Sequence, residues 1–173
     1  MVTAPAGKRL DLLAFLLTVC MGVWIGGGIV VWTVALPTAF DADVLLRSHA
    51  ADYGAALFPR LNLLEGGLGA VAVLLSAFLG RTGWGTARRH VTAMSLILGM
   101  TLLVMVFLLF LTPSIVSSIE QLRADGLDLN DRTQMTPERE RMGVMHRLYA
   151  GLDLVKLLAG FGVLWLLASR RGR

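Results

Sequence analysis

Glu65, Asp153 and Lys156 carry the chemistry that stands out, because each lies inside an apolar run long enough to cross a membrane. An ionisable group at membrane depth costs about 2.5–3.5 kcal/mol on insertion scales, so it marks a candidate functional site. Two carboxylates and an ammonium at matched depth can neutralise one another, hold a cation or pass protons. Fully ionised, the three sum to −1, and the surplus calls for a proton or a cation. Along the last apolar run His146, Tyr149, Asp153, Lys156 and Gly160 recur at steps of three and four. On a helix that spacing makes one polar stripe. A purely structural role is the simpler expectation: Lys156 answers Asp153 or Glu65 and fixes which helices are neighbours.

A second set is His49 and His146 with Met142 and Met145. Imidazoles and thioethers suit Cu(I), and two histidines could ligate a haem. Positions 142, 145 and 146 share a helix face, although methionine is also ordinary packing material. His90 falls at the opposite membrane surface, so a haem, quinone or copper site would have to use His49 and His146. No nucleophile elbow, phosphate loop or HExxH run is present, so the sequence names no reaction and leans away from an enzyme. Cys20 is the single cysteine, which excludes an internal disulfide and any multi-cysteine metal site; it reads as apolar filler.

These residues must be positioned by membrane helices. The chain has 173 residues, 55% of them hydrophobic and 16% charged, with a mean hydropathy of +0.69. Both figures depart from soluble domains toward lipid. About 20 consecutive apolar residues span a bilayer as helix, and four stretches qualify: 12–36, 61–79, 91–111 and 148–168. The expected fold is all-α, an integral membrane four-helix bundle forming a single transmembrane domain over 1–173. The first run follows Lys8 and Arg9 but exceeds the usual length of about 7–15 residues for a signal peptide core, so it reads as an uncleaved span. With spans two and four entering from the same side, Glu65, Asp153 and Lys156 lie about 6, 7.5 and 12 Å deep at 1.5 Å per residue.

Basic residues set the orientation. The segments 1–9, 80–90 and 169–173 hold eight Lys or Arg and no acid, whereas 37–60 and 114–147 hold seven with nine acids. The density places both termini in the cytoplasm of a cell (inner) membrane protein. Although 14 of the 16 basic residues are arginine, they sit at span ends without a basic face, so nucleic acid is not a partner. In the first outer connection Asp41 can cap a surface helix reaching Asp52, with Pro59 in the first turn of span two. Thr136-Pro137-Glu138 is a helix start, so the fourth helix begins outside the membrane and runs in as one long rod. Asp125-Gly126 and Asn130-Asp131 mark turns. Trp32 reads as an interfacial anchor and Trp24 as an internal packing residue. Small residues expected at helix contacts are Gly22 and Gly26 to Gly28 on span one, Gly66 with Ala70, Ser95 with Gly99, and Ala159 or Gly160; a homodimer seam is the other use of such stripes.

Two segments resemble a known family. Tyr53-Gly54-Ala55-Ala56-Leu57-Phe58-Pro59 resembles the aromatic-Gly-x-x-Leu-Phe-Pro run that opens the second span of transmembrane-protein-205-like proteins. His146, with the polar Asp153 seven residues on, resembles their His-Gly-x-Ser-x-x-x-Asn signature, and Trp24-Ile25-Gly26-Gly27 before the Pro37 exit fits their Trp-x-Gly pattern. Here the signature's Gly, Ser and Asn are Arg147, Tyr149 and Asp153, and Pro59 is followed by Arg60, Leu61 and Asn62 in place of aromatics. The resemblance implies a small four-span membrane protein without an established activity. It singles out Tyr53, Gly54, Phe58, Pro59, His146 and Asp153. Three functions follow as expectations: a binding protein, such as an accessory subunit of a membrane complex; an ion- or proton-coupled small-solute transporter built on Glu65, Asp153 and Lys156; or an outer-face haem, quinone or copper protein.

Overall fold

The computed structural model describes residues 6–40, 47–82, 86–127 and 136–169. Every regular element among them is helical: α1 (Ala6–Val30), a π-helical turn (Val31–Ala35), α2 (Leu36–Phe40), α3 (Arg47–Arg81), α4 (Ala87–Val106), a second π-helical turn (Phe107–Leu111), α5 (Thr112–Ala124) and α6 (Pro137–Ala168). The first three form one rod, and α4, the second π turn and α5 form another. With α3 and α6 they make four rods long and apolar enough to cross a membrane. Helices are what lipid demands, since all their backbone groups are satisfied within the segment. The chain is a multi-pass membrane protein whose outer faces meet the bilayer.

The rods outrun the expected spans at prolines. Pro37 was the expected exit of span one, yet the helix continues to Phe40, and the third rod passes Pro113 to reach Ala124. A helical proline clashes with the carbonyl four residues back. Those carbonyls belong to Thr33 and Leu109, and each lies within a π turn. The wider turn moves the carbonyl aside, which lets the helix continue. Pro59 sits inside α3, not in the first turn of a span. The helix expected on the surface of the first outer connection is formed from Arg47 onward as the N-terminal part of α3; its expected cap, Asp41, lies outside the described residues. Asn130, Asp131 and the tail arginines Arg170, Arg171 and Arg173 also lie outside them. The Asp125-Gly126 turn forms, with Gly126 at φ 69°.

α6 starts as its sequence requires. Thr136 is extended, its hydroxyl accepts from the Arg139 amide at 3.4 Å, and Pro137, Glu138 and Glu140 occupy the first turn. Replacing Thr136 by Ala is expected to cost about 1 kcal/mol, and Thr136→Ser almost nothing. Thermal unfolding of the detergent-solubilised protein measures the difference.

α3 packs against α1 and α4, and α6 packs against the same two, so α3 and α6 face each other across the bundle without backbone approach. Leu17, Met21, Trp24, Ala72, Ile97, Met100, Val104 and Val163 fill the centre. The close contacts fall only partly where small residues were expected. Gly28 meets Leu157, Gly66 meets Met105, and Gly160 is closed over by Ile25 and Met100. Gly69, which the pattern did not single out, is pressed against Thr101 and Trp24. Gly22, Gly26, Gly27 and Gly99 have nothing above them; Ala70 and Ser95 are exposed. The reason is rotation: Gly22, Gly27, Ala70, Ser95 and Gly99 lie on the sides of their helices turned away from the bundle, and Gly26 is half-exposed. At the end where α6 finishes, Arg89 Nη2 donates to Ser169 Oγ at 2.9 Å, and His90 packs on Gly80. At the other, distal end Arg123 meets Asp52 at 2.5 Å. That pair is exposed and contributes at most about 1 kcal/mol.

Candidate functional site

The structure brings Glu65, Asp153 and Lys156 together at the bundle centre. They are the only buried charged residues among those described, exposed by 2%, 4% and 2%. Glu65 is on α3 and the other two on α6, so the contact bridges two helices whose backbones do not approach. Lys156 Nζ donates to both Glu65 oxygens at 2.6 and 2.7 Å and also pairs with Asp153, one helical turn earlier. The same ammonium stands 5.4 Å from the centre of the Phe107 ring, a cation–π distance.

Two tryptophans complete the shell. Trp32 is not an interfacial anchor: its indole Nε1 donates to Asp153 Oδ2. The π turn that carries Trp32 is the one imposed by Pro37, and the π turn imposed by Pro113 begins at Phe107. Both helix irregularities therefore aim a ring at the charges. Trp24 is buried, as its mid-depth position implied, and its indole faces Glu65 without completing a hydrogen bond.

Next along the α6 stripe, toward the distal end, is a neutral polar layer. Tyr149 donates to Asn62 Oδ1 at 2.8 Å, and Asn62 Nδ2 donates to Thr112 Oγ1 at 2.8 Å. Tyr149 stacks on Phe107 with centroids 4.3 Å apart and tilts against Phe58 at 5.2 Å. Asn62, Thr112 and Phe107 were missed as site residues. Asn62 was visible as the one amide within span two, while Thr112 and Phe107 offered no signal above the apolar background.

Beyond Tyr149, at the distal end, α3, α5 and α6 enclose a cavity of about 450 Å³ lined by Gly54, Phe58, Thr112, Ile119, Met142, His146 and Tyr149 among others. The motif residues Gly54, Phe58 and His146 thus converge on it, while Tyr53 and Pro59 are not in its lining. Of the proposed metal set, Met142 and His146 line the cavity; His49 and Met145 do not. Among the described residues no group of three or more His, Cys, Asp or Glu is placed to hold a metal.

Four apolar rods around a self-paired, solvent-shielded charge triad, with a cavity at one end, define a small polytopic helix-bundle membrane protein. The chain belongs to the family described as Domain of unknown function (DUF4149), whose model matches residues 19–124. Neither a curated protein nor a solved structure matches the chain. The matched segment holds Glu65, Trp24, Trp32, Asn62, Phe107 and Thr112 but ends before α6, which supplies Asp153, Lys156 and His146.

Proposed function

We propose that residues 1–173 form one transmembrane unit that acts by binding and association, as an accessory subunit of a membrane complex. The observation that carries this reading is the closure of the triad. Lys156 is saturated by two carboxylates, Asp153 is also held by Trp32, and none of the three lines the cavity. A carrier needs its charged groups to face a path for the solute; these face each other. In this role the triad is a lock that sets the relative height of α3 and α6, a use in which buried polar groups specify register.

The outward small-residue stripes, Gly22 with Gly26 on α1 and Ser95 with Gly99 on α4, are where a partner helix or a second copy can approach closely. A kinship with transmembrane-protein-205-like proteins is supported by Gly54, Phe58 and His146 meeting at one cavity. The arginine-rich segments support an inner-membrane placement with both termini cytoplasmic.

The test is flux. In proteoliposomes with an imposed potential and a trapped pH indicator, the wild type and Glu65→Gln are expected to leak protons and cations no faster than empty vesicles. A flux above empty vesicles that disappears in Glu65→Gln overturns the reading in favour of an ion-coupled transporter.

A further inference from the structure

We infer that the distal cavity is a binding site for a neutral amphiphile with an apolar ring or chain and a carbonyl-type oxygen at its inner end. The inference deepens the binding reading above by naming a ligand class. A volume of about 450 Å³ lies within the usual range for small-molecule pockets. Among the described residues no Asp, Glu, Lys or Arg lines it, whereas Phe58, Ile115, Ile119 and Met142 offer an apolar wall, a lining that suits a neutral ligand.

The inner end is polar for a specific reason. Thr18, Thr33, Thr92 and Thr101 each send the hydroxyl proton to the carbonyl four residues back. Thr112 does not: it follows the π turn, its oxygen accepts from Asn62, and its own proton meets no acceptor among the described residues. At 5% exposure it is a buried hydroxyl with an uncommitted donor on the cavity wall. A buried donor left without an acceptor is costly, and a ligand oxygen removes that cost. At the mouth, the exposed His146 offers a second polar contact to the outer end of the same molecule.

Benzophenone, a neutral diaryl ketone that photocrosslinks to its neighbours, is the probe, and diphenylmethane is its carbonyl-free twin. Irradiation of the detergent-solubilised protein, followed by peptide mass spectrometry, is expected to place adducts on cavity residues such as Met142 and Ile115. Ala51→Phe, which fills the cavity from α3, is expected to abolish those adducts. Thr112→Val is expected to weaken apparent benzophenone affinity by about threefold to tenfold, as for one hydrogen bond, while Thr112→Ser keeps it. Diphenylmethane, read as a competitor, is expected to compete equally well in the wild type and in Thr112→Val. Adducts scattered over lipid-facing residues, or unchanged in Ala51→Phe, overturn the site. Equal Thr112→Val effects on both probes overturn oxygen recognition and leave a lipid-filled void. The labelling does not depend on flux, so this inference and the proposed function fail separately.

Discussion

Replacing Lys156 by methionine is expected to be among the most damaging single changes in the chain. Methionine fills similar space but leaves Glu65 and Asp153 facing each other without the ammonium that both now contact. Breaking a buried ion pair by removing one partner costs about 3–5 kcal/mol, chiefly because an uncompensated charge stays behind. The unfolding midpoint in detergent should fall accordingly. A fully neutral triad, Glu65→Gln with Asp153→Asn and Lys156→Met, should recover most of the loss, because nothing charged remains unpaired. A Lys156→Met protein as stable as the wild type would show that the triad does not hold α3 to α6.

The second large effect is expected at Gly69. A Cβ there would stand 2.7 Å from Thr101 Oγ1 and 3.1 Å from the Trp24 ring, and neither neighbour is a flexible chain end. Gly69→Val should therefore cost about 1–3 kcal/mol or more through overpacking. Gly26→Val and Gly99→Val, which point into open space, should stay within about 0.5 kcal/mol of the wild type. Thermal denaturation of the three variants side by side provides the contrast. Equal sensitivity at Gly26 would mean that α1 is rotated from the arrangement described above.

The difference between these glycines shows what could be read from the sequence. Properties local to one helix were legible: the four apolar runs, the Thr136 cap, and the stripe from His146 to Lys156. Glu65 was legible as well, since an acid in an apolar run needs no structural context to stand out. Properties that depend on how one helix is rotated against another were not. Gly22-Gly26 and Gly66-Ala70 match the small-residue rule equally well as strings, and only packing decides which residue is covered. Pro37 misled as an exit for a related reason. In water a proline within a polar boundary ends a helix, but in lipid the freed backbone groups are re-satisfied by a local widening. That widening, at Val31–Ala35 and Phe107–Leu111, is what turns Trp32 and Phe107 toward the charges.

The separation of 91 residues between Glu65 and Lys156 has a consequence for biogenesis. At a synthesis rate of about 5–20 residues per second, roughly 5–18 s pass before the ribosome delivers the counter-ion. During that interval the second helix has left the ribosome with an acid that nothing neutralises. It must wait at the translocon or bilayer edge, or enter as the uncharged acid. Final seating of α3 is therefore a post-translational event, completed when the last helix arrives, and a chain truncated before α6 should be a substrate for membrane quality control.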